Sequence, residues 1–212
     1  MAISVSAARI TFWAAALFLV LLAALHIIKP EYDPSWRTVS EYAIGRFGWA
    51  MQLAFFSLAI ASVCAISAVW ELRSTIGYIG LMLLLVAATG MIIGGIFPTD
   101  PITTAPDALS ASGKMHILGG QLGIPSIPLA MTLISWALTR RHLAWADVRR
   151  WLWLLVSLAW LGFGAVVFLA FVVAKGTLGP EVLIGWPNRL FMIGYSLWLM
   201  VVARRTIATA SP

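Results

Sequence analysis

Six long apolar runs, at about residues 10–28, 47–70, 76–96, 115–138, 151–174 and 188–203, alternate with shorter polar connections. About 20 apolar residues in a helix cross the roughly 30 Å hydrocarbon layer of a bilayer. Within that layer the backbone must satisfy its own hydrogen bonds, which restricts spanning structure to helices and closed barrels. The runs lack the two-residue alternation of a barrel strand and are about twice as long as one. The pattern therefore predicts an all-α polytopic membrane bundle of six transmembrane helices, one domain covering residues 1–212. The first run follows Arg9 and is read as a retained helix. It is longer than a signal-peptide core, and no small-residue cleavage site precedes His26-Ile27-Ile28-Lys29.

The connections are unequal. Loops 29–46, 97–114 and 175–187 are long and hold six of the eight acidic residues: Glu31, Asp33, Glu41, Asp100, Asp107 and Glu181. The opposite side holds Glu71 and Asp147, with Arg9, Arg73, Arg140, Arg141, Arg149, Arg150, Arg204 and Arg205 in short loops and tails. Lysine and arginine near span ends mark the cytoplasmic side. Both termini are therefore expected in the cytoplasm, with the long loops outside, in a prokaryotic cytoplasmic membrane. Tryptophans agree: Trp36, Trp49, Trp70, Trp136, Trp145, Trp151, Trp153 and Trp186 lie near span ends, as headgroup-depth rings do, whereas Trp160 and Trp198 lie deeper and read as packing residues.

Composition excludes several classes. The chain is 61% apolar and 10% charged, against about 25% charged in a soluble domain. The net charge of +6 is spread over membrane-flanking segments, so it reads as a topology signal and no nucleic-acid partner is expected. The single cysteine, Cys64, lies mid-span and offers neither an intrachain disulfide nor a thiol metal site.

Candidate chemistry concentrates at the long loops. In the first, Pro30 and Pro34 interrupt helix formation, Ser40 is a good N-cap, and Glu41 suits a helix N-terminus. In the second, Pro98-Thr99-Asp100-Pro101 ends the third span in a turn. His116 opens the fourth span at the same side as His26, which ends the first. Ionisable groups at the membrane edge are costly and favour a functional reading. Glu41, Asp100 and His116 are the candidate catalytic residues, with a carboxylate orienting a histidine base. His26, Ser40 and Arg189 are the candidate substrate-binding residues. A metal ion, if bound, would take His26, Asp100 and His116 as ligands and keep one open position. Haem on His26 and His116 is the weakest cofactor reading. Arg189 is expected to snorkel or to pair with an outer carboxylate. Glu31, Asp33, Asp107, Glu181 and the loop residue His142 read as solvated. Pro125 and Pro128 should bend the fourth span, and Gly90/Gly94 and Gly119/Gly123 are spaced for close helix contact.

Ser40-Glu41-Tyr42-Ala43-Ile44-Gly45, Phe97-Pro98-Thr99-Asp100, His116 and Asn188-Arg189 together resemble the six-helix membrane family catalogued as domain of unknown function 998. Asn188-Arg189 departs from the Gln-Arg of that family. A more distant likeness is to the Frag1/DRAM/Sfk1 group, which also has a Ser-acid pair in its first loop and a histidine in its fourth span; that resemblance implies lipid. The chain is also similar in outline to ceramidase-like transmembrane hydrolases, but two outer histidines and no His-x-x-x-His depart from their zinc site.

The function expected first is an accessory or binding protein that holds a lipid headgroup, a membrane protein partner or a second copy of itself at the outer polar cluster. The alternative is an outer-leaflet lipid-modifying enzyme, a hydrolase or transferase with a carboxylate/His or metal site. A transporter ranks lower, because the span centres lack an acidic relay. The charge asymmetry makes one topological prediction. A cysteine placed at Ser110 will be labelled by an impermeant thiol reagent on intact cells; labelling only after lysis reverses the orientation.

Overall fold

The computed structural model describes residues 2–70, 72, 74–141 and 143–210. Glu71, Arg73 and His142, which entered the charge and loop readings, lie outside the described residues. Among the described residues every regular element is a helix, and there is no strand. Its long helices are α1 (Ala2–Ile28), α2 (Gly48–Ala68), α3 (Thr75–Ile96), α4 (Ala111–Arg141), α5 (Arg149–Phe168) and α6 (Gly185–Ala210). All six are long and apolar enough to cross a membrane, which makes this an integral membrane protein.

Three helices clearly outrun their apolar runs, α1 by beginning at Ala2 and not at 10. α4 begins four residues before the expected 115, because Ser110 caps it: the Gly113 amide donates to Ser110 Oγ at 2.9 Å. α6 begins at Gly185 despite Pro187, since a proline in the first turn removes an amide that has no helical acceptor. It also continues past Arg204 and Arg205, as helices do beyond the hydrocarbon edge. Pro125 and Pro128 stay inside α4. Each deletes one internal hydrogen bond, freeing the carbonyls of Gln121 and Ile124. α5 ends in a π-helical turn, Leu169–Val173.

The helices close into a ring in chain order, with α6 returning to α1, and the largest contact is between α3 and α4. Glycine makes that contact possible. A Cβ on Gly90 would lie 2.5 Å from the Gly119 carbonyl oxygen and 2.7 Å from Gly123 Cα, so the two backbones touch. The core between the helices is apolar and tightly filled by residues such as Phe18, Met51, Leu58, Leu84, Met131 and Trp198. Trp198 is buried and donates to Ser135 Oγ at 2.9 Å, while Trp160 is partly exposed and donates to Thr132 Oγ1 at 2.9 Å. Trp49, Trp70, Trp151 and Trp186 face outward; Trp145 is instead folded into the core.

The three long connections meet at one end, here the long-loop end. The Gly185 amide donates to Ser35 O at 2.9 Å, and the Ile102 amide donates to Glu41 Oε1 at 3.0 Å. At the other, short-loop end, α1 and α6 border a common groove through Arg9 and Arg204.

Candidate functional site

Arg189 is the centre of the long-loop end. It lies in the second turn of α6 and is only 2% exposed. Its Nε donates to His26 Nε2 at 2.7 Å, and Nη2 donates to Tyr42 Oη at 3.0 Å. Nη1 donates to Arg37 O at 2.6 Å and Gly185 O at 3.1 Å. One guanidinium thereby ties α1, the first loop and α6 together. The expectation that Arg189 snorkels or meets a carboxylate is corrected: its acceptors are an imidazole, a phenol and two carbonyls. A planar fork with five donors can serve several neutral acceptors at once, which a lysine cannot.

His26 has both ring nitrogens committed. Nδ1 lies 2.7 Å from Leu22 O, and a carbonyl only accepts, so Nδ1 carries the proton and Nε2 is the acceptor for Arg189. A donating guanidinium on that lone pair occupies the position a metal ion or haem iron would need.

Glu41 is fully buried, and it is not the only charge withdrawn from water here. Its Oε1 accepts from Arg37 Nη1 at 2.6 Å and from the Ile102 amide at 3.0 Å, and Oε2 accepts from the Thr38 amide at 3.0 Å. Thr38, not Ser40, is the N-cap of the 3-10 turn Val39–Ala43; the cap lies two residues earlier than the one expected from the Ser-Glu pair. The Arg37 guanidinium, stacked on the Trp36 ring at 4.1 Å, completes this loop-to-loop staple. Lys29 is 1% exposed. Its ammonium donates to the Tyr42 carbonyl at 3.0 Å and to the Ile44 carbonyl, and sits 4.5 Å above the Tyr32 ring. Burial pulls its pKa below the usual lysine value, with Glu31 opposing. Glu31, Asp33, Asp107 and Glu181 are exposed, as expected.

Asp100 closes the second loop on itself. Its Oδ2 accepts from the Ser110 amide at 2.8 Å and packs against Gly113, where any side chain would collide with it. His116 is one turn into α4 and bonds elsewhere: Nδ1 donates to Phe97 O at 2.8 Å, and the ring lies over Gly94 and edge-on to Phe55 at 6.0 Å. The same carbonyl argument places the proton on Nδ1 and leaves Nε2 as a base.

The sequence candidates thus separate into two sets. Glu41, His26 and Arg189 belong to the hydrogen-bonded lock. Ser40 and His116 instead line a cavity of about 60 Å³, together with Asn188 and with Phe55, Met91, Ile124 and Met192. The glycines of α3 and α4 form its remaining wall. Asn188 also holds the first loop, its Oδ1 accepting from the Val39 amide at 2.9 Å, and Ser40 Oγ lies 3.0 Å from Thr38 Oγ1. His26, Asp100 and His116, considered as metal ligands, are not brought together: each has its own partner. Among the described residues no group of three or more His, Cys, Asp and Glu side chains is placed to share a metal ion.

Sequence reasoning missed Lys29, Tyr42 and Asn188 as site components. Asn188 adjoins Arg189 at the start of α6, and its signals were that adjacency and its place in the Asn188-Arg189 motif.

A family model described as Protein of unknown function (DUF998) matches residues 12–205. No curated protein and no solved structure matches the chain.

The lock makes a stability prediction. His26→Ala leaves a buried Arg189 N–H unpaired and should destabilise the protein by about 1–3 kcal/mol, whereas His26→Gln, which can still accept, should lose less. Arg189→Lys should cost at least as much as His26→Ala, because a point charge cannot reach all four acceptors. Thermal unfolding of the purified protein in detergent measures this ranking.

Proposed function

The chain belongs to the family described as Protein of unknown function (DUF998), and from that premise we propose that it binds a membrane lipid through the polar cavity at its long-loop end. One observation carries the reading. Ser40 of the first loop, His116 of α4 and Asn188 of α6 line one cavity whose other side chains are apolar. Such a pairing of a few convergent polar groups with apolar walls is the general make-up of a small-molecule site. At about 60 Å³ the cavity has the volume of roughly two waters, so it takes the polar linkage of a lipid and not the whole molecule. The hydroxyl, imidazole and amide hydrogen-bond that linkage, while Phe55, Met91, Ile124 and Met192 meet its first methylenes. On the orientation expected from loop charge, the lipid comes from the outer leaflet of a prokaryotic cytoplasmic membrane.

A photoactivatable phospholipid supplied in nanodiscs tests this. Ser40→Ala and His116→Ala should each lower crosslinking by roughly threefold to tenfold, the loss of one hydrogen bond, and Glu181→Gln should leave it unchanged. Crosslinking that is indifferent to Ser40 and His116 overturns the reading.

A second reading, lipid acyl hydrolysis or transfer, is favoured by the tautomer of His116. With Nδ1–H held by Phe97 O, Nε2 can take the Ser40 proton as Oγ attacks an ester carbonyl, and then pass it to the departing alcohol. If so, a fluorophosphonate will label the wild-type protein covalently but neither Ser40→Ala nor His116→Gln. Absence of labelling in the wild type leaves binding without catalysis.

A further inference from the structure

The short-loop end carries a different site. Between α1 and α6 lies a groove of about 440 Å³, bordered by Arg9, Phe12 and Trp13 on one side and by Arg204, Ile207 and Ala208 on the other. Arg9 immediately precedes the apolar run of the first span, and Arg204 immediately follows that of the last. Both guanidiniums therefore sit at the hydrocarbon edge, where lipid phosphates lie. Trp13 is one helical turn beyond Arg9, roughly 6 Å deeper, and is 70% exposed. Its ring gives the groove a flat apolar wall at the depth where acyl chains begin.

Charge decides the occupant. Among the described residues, neither Arg9 nor Arg204 has a carboxylate partner, and the acid at this end, Asp147, is already taken by Arg205 at 3.0 Å. A second hollow, also about 440 Å³, lies on the other side of Arg204 between α5 and α6, but Asp147 borders it. The α1/α6 groove borders no acid. Two cations with no carboxylate partner among the described residues, above an apolar trough, are complementary to one headgroup phosphate above its acyl chains.

We propose that the α1/α6 groove binds one anionic phospholipid of the leaflet at the short-loop end, its phosphate between Arg9 and Arg204 and a chain running past Trp13. A zwitterionic lipid would place an ammonium beside two guanidiniums and bind less well. This site is at the opposite end from the cavity of the preceding section and does not depend on it.

The full chain, reconstituted in nanodiscs of mixed phosphatidylglycerol and phosphatidylcholine, is released into mild detergent and its retained lipids are weighed by native mass spectrometry. Wild type should retain phosphatidylglycerol in preference, and added salt before release should erode that preference. The Arg9→Gln/Arg204→Gln variant should lose the preference by roughly tenfold, as expected for two interfacial cations. Arg150→Gln, a charge removed from the same end outside the groove, should keep it. Equal retention of the two lipids by wild type, an effect of Arg150→Gln as large as that of the double variant, or a salt-insensitive preference overturns the proposal. The salt series on wild type holds even if the double variant fails to fold.

Discussion

A guanidinium removed from water must have its donors satisfied, and at the long-loop end that requirement organises everything around it. Arg189 reaches acceptors on α1, on the first loop and on α6 itself. Each acceptor is in turn fixed by something else. The His26 tautomer is set by the Leu22 carbonyl, and Tyr42 belongs to the turn that Glu41 staples to the second loop. A buried cation without a carboxylate partner is costly to leave incomplete. The four acceptors therefore have to assemble together, and their assembly sets how the first and last helices meet.

Saturation separates the polar residues of this end by role. Both carboxylate oxygens of Glu41 and both ring nitrogens of His26 are engaged by protein groups, so they contribute rigidity. Ser40, His116 and Asn188 share a wall facing empty space, and the unprotonated His116 nitrogen remains a base. A functional reading of this molecule rests on that second group, held in position by the first.

Much of the architecture was legible in the chain because bilayer physics is coarse. Apolar length, loop charge and the inability of lipid to satisfy a backbone amide suffice to place six helices, and the solvated character of Glu31, Asp33, Asp107 and Glu181 follows from loop composition. What was not legible depended on long-range meeting. Nothing local to Lys29 announces that the carbonyls of Tyr42 and Ile44 will enclose it. Arg189 was expected to snorkel or to pair with an outer carboxylate, yet among the described residues its acceptors are neutral. Glu41, expected to orient a histidine, pairs with Arg37 four residues before it. Ser40 looked like a cap, but Thr38 caps the turn, and Ser40, its Oγ 3.0 Å from Thr38 Oγ1, lines the cavity. Glycine spacing correctly indicated close approach of α3 and α4, yet the cavity beside that seam arises only once α2 and α6 complete its walls.

The seam has a mechanical corollary. Where Gly90 meets Gly119 and Gly123, the helices touch through backbone, and there is no side chain whose rotation could let one slide past the other. That wall of the cavity is stiff. The other lining side chains include Phe55, Met91, Ile124 and Met192, and a thioether chain with three rotatable bonds yields to the shape pressed against it. The chamber thus combines a fixed backbone seam with compliant side chains, and on the proposed reading the methionines would set how large a guest it admits.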